Sequence, residues 1–172
     1  MAKSTRKMKV EREILPDAML SMGEADTSMQ EISTFSGNNR FLSNFYPGSV
    51  TYEGLTYPTV EHAYQAAKTL DLKVREDISK MAKPSDVKRL GKRLVIRENW
   101  DTLKISVMKV LVYQKFMNHP DLLRMLFATG DQKLVEGNYW KDTFWGVCNG
   151  VGENHLGKIL MEVRENLRKE QK

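Results

Sequence analysis

Apolar and polar positions change rhythm several times along this chain, and each change marks an element. Val50-Thr51-Tyr52 and Leu55-Thr56-Tyr57 alternate around Glu53-Gly54, which predicts a hairpin of two short strands. Pro58 discourages any earlier helical turn and Thr59 is placed to cap, so a helix is expected over 58–68. In it Ala63, Ala66, Ala67 and Leu70 gather on one side, while Glu61, Gln65 and Lys68 fall within roughly 60° of one another on the other. An acid, an amide and an amine thus form a ladder, which reads either as an ordinary solvated face or as the wall of a site. A charged helical stretch follows Leu72 to about Lys83, and Pro84-Ser85 breaks and caps a short helix closing near Gly91. Asp101 is expected to cap a long central helix to about Asn118, with Leu103, Val107, Val110 and Leu111 turned to the core. Pro120 starts another, carrying Leu122, Leu123, Leu126 and Phe127, that Thr129-Gly130 ends. The last helix begins near Asn154 with Leu156, Ile159, Leu160, Val163 and Leu167 at helical spacing, and its polar end is expected to fray. Ile32–Phe35 and Lys133–Glu136 read as short strands.

A chain of 172 residues supports one sizeable core rather than two. The expected organisation is a loosely packed arm over 1–29, one domain over 30–168 and a frayed end over 169–172, mainly α with a small β component (α+β). The formal charge of +5 comes from 27 basic and 22 acidic residues without a long basic run, which suits an anionic small molecule and permits weak nucleic-acid attraction. The one cysteine, Cys148, excludes an intramolecular disulfide and fits a reducing compartment. No window has the apolar length of a membrane span and the first residues lack a signal core, so a cytoplasmic protein is expected. Three scattered histidines give no metal-ligand spacing, and neither a metal nor a cofactor is expected.

Two stretches carry unusual chemistry for loops. Arg40-Phe41-Leu42-Ser43-Asn44-Phe45-Tyr46-Pro47 sets aromatics beside an arginine and an asparagine, suited to sandwiching a flat heterocycle or to pinning a loop on the core. Asn138–Gly146 puts Asp142 among Tyr139, Trp140, Phe144 and Trp145, where an acid either has its proton affinity altered or serves as a buried cap. The glycine-rich approach Gly150–Gly157 favours an anion at a helix start but matches no phosphate-loop fingerprint. Lys83, Lys88, Arg89, Lys92 and Arg93 form the most basic local region, a phosphate grip or a solvated face.

Taken together, Phe41–Pro47, Tyr57–Lys68, Asp142–Gly146 and Gly152–Arg164 resemble, in order and spacing, the NADAR family of YbiA-like N-glycosidases. The resemblance runs from about Ile32 to Arg164 and implies a compact, mainly helical domain that hydrolyses the C–N bond between a ribose and a base. It implies as substrates the ribosylamino-pyrimidine phosphates of riboflavin synthesis, or ADP-ribosylated guanine, with ADP-ribosylated nucleic acid as a possible partner. On this reading Lys68 is the covalent or electrostatic participant, Glu61 the general acid–base and Asp142 an orienter or second carboxylate, with Glu136 a third acid. Arg40, Asn44, Phe45, Tyr46, His62, Gln65 and Trp145 are expected around base and ribose, and Gly146, Asn154 and Arg164, or the basic segment near Arg89, at the phosphate. The rival readings are a non-catalytic reader of ADP-ribose or NAD and a small nucleic-acid-binding domain.

Overall fold

The computed structural model describes residues 30–171, so the arm expected over 1–29 lies outside the described residues. Strand β1 (Glu31–Ile32) leads to a short 3-10 helix, Gly37–Leu42, and then to the hairpin β2 (Val50–Tyr52) and β3 (Leu55–Tyr57). Helices α1 (Val60–Ala67), α2 (Leu72–Ser79), α3 (Pro84–Gly91), α4 (Trp100–Met117) and α5 (Pro120–Ala128) follow. Strands β4 (Lys133–Leu134), β5 (Gly137–Asn138) and β6 (Val147–Cys148) lead into α6 (His155–Glu170). The α+β domain is therefore mainly helical, with three two-stranded sheets among the described residues: β1 parallel to β4, β2 antiparallel to β3, and β5 parallel to β6. Among the described residues no helix is long and apolar enough to cross a membrane.

The core is organised on α4, which packs against α1, α5, α6 and β2. Its buried face carries Met108, Leu111, Val112 and Phe116. Val110, expected in the core, is 53% exposed because it lies on the far side of the helix from this face. Asp101 does not cap α4: the helix starts a residue earlier, where Trp100 is drawn against the Tyr64 ring at 5.1 Å, and Asp101 pairs with Lys104 at 2.8 Å. Both sheet segments read from β-propensity are shorter than expected. β1 stops at Ile32 because the next residues turn toward the cavity described below, while β4 stops at Leu134. Helix α6 runs beyond Leu167, where its polar end was expected to fray, and as far as Glu170, which accepts a hydrogen bond from the Tyr113 hydroxyl.

Helix α1 begins where the sequence predicts. Thr59 is extended, and its oxygen accepts from the His62 N–H, satisfying one of the free donors of the first turn. Every residue of α1 is buried. Ala63, Ala66 and Ala67 are small enough for α2, α3 and α4 all to pack closely around it. The polar ladder on this helix is therefore no solvated face. Burying a carboxyl without partners costs several kcal/mol, so Glu61 and Gln65 occupy their positions only because neighbours and a cavity accommodate them.

Candidate functional site

A cavity of about 830 Å³ opens beside α1, within the range of small-molecule sites. Glu61, Tyr64, Gln65 and Lys68 form its floor. Ser43, Asn44 and Phe45, just beyond the 3-10 helix, form one side, stitched to α1 by the Asn44 carbonyl accepting from the Glu61 N–H at 3.0 Å. Ser85, Lys88, Arg89 and Lys92 form another, at a helical spacing that turns one face of α3 inward. The fourth side is the segment from Glu136 to Trp145, contributing Glu136, Tyr139, Trp140, Asp142 and Trp145. A second, shallower hollow of about 240 Å³ near Phe41, Met125 and Thr129 is lined by apolar and uncharged polar side chains alone.

Three acids and three lysines thus share one hollow, and burial shifts the proton affinity of Glu61, Glu136 and Lys68. Burial pushes the Glu61 carboxyl up, while the hydrogen bond from Gln65 Nε2 to Glu61 Oε1, 2.8 Å long, and the charges of Lys88 and Lys68 hold it back. Burial pushes the Lys68 amine down, and the charge of Glu61 opposes this; Lys88 adds to the lowering. A lowered amine keeps more of the neutral, nucleophilic form at neutral pH. Glu136 is pushed up to about 7, first by burial and then by the charge of Asp142. Asp142 Oδ1 accepts from the N–H groups of Phe144 and Trp145 at 3.2 and 2.9 Å, so this acid also ties its own loop. Tyr64 packs its ring edge against Trp145 at 5.4 Å and lies 5.3 Å beneath the Lys68 ammonium. Lys88 sits 5.7 Å from the Phe45 ring and 5.5 Å from the Trp140 ring, bridging two aromatics across the opening.

Of the residues picked out in the sequence, Glu61, Lys68, Asp142, Asn44, Phe45, Gln65 and Trp145 line the cavity. Six others stand outside it. Arg40 is exposed in the last turn of the 3-10 helix. Tyr46 packs on the core, its ring 5.7 Å from the Lys115 ammonium. His62 is buried between Thr59 and the Met81 carbonyl; burial pushes its pKa down, and with Nε2 donating to that carbonyl, Nδ1 accepts from the Thr59 hydroxyl. Gly146 is required by packing: a Cβ there would stand 2.2 Å from the Glu136 carbonyl oxygen. Asn154 caps α6 in the left-handed region, φ 53°, and its amide ties Glu136 N–H and the Leu134 carbonyl. Arg164 donates to Thr129 Oγ1 and the Gln132 carbonyl and does not line the cavity. The glycine-rich stretch before α6 likewise builds backbone contacts rather than cavity wall.

Sequence reasoning underrated Glu136, Lys88 and the aromatic pair Tyr139–Trp140. The inward spacing of Ser85, Lys88, Arg89 and Lys92 was available as a signal for α3. For Glu136 there was none, because contacts from distant segments create its surroundings. Lys115 was missed as well. It is almost fully buried on α4, donates to the Phe41 and Ser43 carbonyls at 2.6 and 2.8 Å, and so anchors the stretch that delivers Asn44 and Phe45.

A family model described as the NADAR domain matches residues 23–168. The chain belongs to the NADAR family. The match covers most of the chain and begins upstream of the stretch whose resemblance is visible by eye. Among relatives, the N-glycosidase YbiA of Shigella boydii is 40% identical over 145 residues, spanning 83% of this chain and 89% of that protein. The N-glycosidase Npun_R5314 of Nostoc punctiforme is 40% identical over 133 residues, 74% of this chain and 85% of its own length. The riboflavin biosynthesis protein VVA0006 of Vibrio vulnificus is 40% identical over 133 residues; the match takes in 76% of this chain and only 36% of that longer protein. In three dimensions the NADAR chain matches the NMR structure of Escherichia coli YbiA with a TM-score of 0.72 and 35% identity, covering 86% of this chain and 93% of that one.

Proposed function

We propose that this N-glycosidase of the NADAR family cleaves the bond between C1′ of a phosphorylated ribose and a flat nitrogenous base. The observation that carries the reading is Lys68 one and two turns along α1 from Gln65 and Glu61, all facing a cavity with aromatic walls. Breaking the C–N bond leaves positive charge at C1′ and negative charge on the base, and an amine with acids beside it meets both needs. Lys68 attacks C1′ with its neutral amine as the bond to the base breaks. Water then displaces the lysine, Glu61 taking its proton. Asp142 orients the ribose and holds the Phe144–Trp145 wall; Asn44 and Gln65, whose side chains line the cavity, meet ribose hydroxyls. Phe45 and Trp145 flank the base, and Lys88, Arg89 and Lys92 meet the phosphate.

Relatives named for riboflavin biosynthesis favour a ribosylamino-pyrimidine phosphate as substrate. A second substrate, ADP-ribosylated guanine in nucleic acid, is favoured by the rim: Tyr139, 87% exposed, stacks edge-on with Trp140 at the opening, where a longer substrate would pass. The test is to incubate the protein with ribosylamino-pyrimidine phosphate, ADP-ribosylated guanine DNA, NAD and ADP-ribose, and to measure free base. Release of base from either of the first two, lost by at least ~10²-fold in Lys68→Ala and Glu61→Gln, is the expected result. Borohydride added during turnover should fix the sugar on Lys68, because the glycosylamine formed there opens its ring to an imine that borohydride reduces. Binding of ADP-ribose without release of any base would overturn the reading and make the protein a reader of that ligand.

A further inference from the structure

We infer that Glu136 is a catalytic residue of this site, the acid that protonates the departing base. The inference rests on the glycosidase reading and assigns a proton donor within it. Of the three acids on the wall, Glu136 alone has a buried carboxyl oxygen, Oε2, with no donor among the described residues. Glu61 is occupied by the Gln65 amide and Asp142 by two backbone N–H groups. A bare ionised oxygen in such a place costs several kcal/mol, so the carboxyl holds a proton, and Glu136 lines the cavity into which that proton can be given up.

The backbone beneath Glu136 is fixed from three directions. Its N–H donates to Asn154 Oδ1 at 3.0 Å, its carbonyl accepts from Val147 N–H at 2.9 Å, and Gly146 lies against that carbonyl where no side chain fits. A backbone held this firmly keeps the carboxyl at the cavity wall. The charged groups that face it are Asp142 from its own segment, Glu61 from α1 and Lys88 from α3. The two acids discourage a further negative charge and Lys88 opposes them; with burial foremost, the carboxyl titrates at about 7, where an acid is both present and able to give up its proton.

The Lys68 nitrogen bonds to C1′, the C1′–N bond to the base breaks, its electron pair stays on the base nitrogen, and that nitrogen takes the Glu136 proton. Water then supplies hydroxyl to C1′ and frees the amine. The proton shed by water passes through Glu61 back to the Glu136 carboxylate.

Two ribosides separate this role from a structural one. A ribosylamino-pyrimidine phosphate needs a proton to let its amine leave; an N-ribosyl pyridinium phosphate releases a neutral base without one. The wild type should show an alkaline limb near pH 7 in kcat/KM for the first riboside and none for the second. Glu136→Gln should lose ~10²–10⁴-fold in kcat on the first, lose the limb, and stay within a few-fold of wild type on the second. An equal loss on both, unchanged kcat on the first, or a limb kept in the variant overturns the assignment. The wild-type profiles decide it alone if the variant fails to fold: the same alkaline limb on both ribosides, or none on the amine, also overturns it. Wild-type protein that releases base from neither riboside nor from ADP-ribosylated guanine overturns the glycosidase reading itself, and this inference with it.

Discussion

Asn154→Ala distinguishes a clamp from a substrate contact, and its cost follows from the geometry. The side chain makes two hydrogen bonds, accepting from Glu136 N–H and donating to the carbonyl of fully buried Leu134. Losing them removes ~1 kcal/mol each in net terms, and leaving the buried partners bare adds to that. Alanine also resists the left-handed backbone, φ 53°, by ~1 kcal/mol. Together the loss is ~3–4 kcal/mol, a large share of the ~5–15 kcal/mol that holds a domain folded. At ~2–4 °C per kcal/mol for a domain of this size, the melting temperature should fall by ~10 °C. Urea unfolding gives the same quantity from the midpoint at constant slope. Asn154→Gly, which accepts the backbone but restores neither hydrogen bond, should recover only the ~1 kcal/mol of strain. A variant Asn154→Ala within ~1 kcal/mol of wild type refutes the reasoning. So does one that keeps its stability yet loses substrate affinity, which would return Asn154 to the phosphate contact expected from its sequence.

Gly91→Ala would place a Cβ 1.8 Å from Gln65 Oε1, pushing the amide off Glu61; a stability loss of ~1–3 kcal/mol and a fall in kcat/KM of at least tenfold should appear together in melting and turnover assays. Lys115, pushed down to about 7 by burial, is neutral in the fold at higher pH while the unfolded chain keeps the proton up to its ordinary 10.5. Stability from this group therefore rises with pH between those values, by at most ~1.4 kcal/mol per unit, and is lowest below 7. Lys115→Met should flatten that slope in urea unfolding run from pH 6 to 9; an unchanged slope would show that the lysine keeps its charge when folded.

The sequence showed most clearly what short-range chemistry decides. The 50–57 hairpin, the Thr59 cap and the helical spacing of 61–68 depend on neighbouring residues, and they appear in the structure where the pattern places them. Whether the ladder faced water was a long-range matter: only the closure of α3 and the segment 136–145 over α1 makes it a cavity floor. The same limit explains why some expected site residues stand outside the cavity. His62, Asn154 and Arg164 have side chains that suit a ligand, but in the fold those groups satisfy buried backbone and side-chain partners instead. Lys115 carried no local sign at all and Glu136 ranked only third among the acids, since a helical lysine and a strand-end glutamate are usually exposed.

Two of the chain's three tryptophans, Trp140 and Trp145, border the cavity, and Trp100 is packed behind it against Tyr64. The protein therefore carries its own optical probe. A flat ligand stacking on either cavity indole should quench emission without any added dye, the half-exposed Trp140 contributing the redder component and Trp145 the bluer. Titrations watched at both wavelengths, with Trp140→Phe as the control, would tell a molecule resting at the rim from one lodged at the floor.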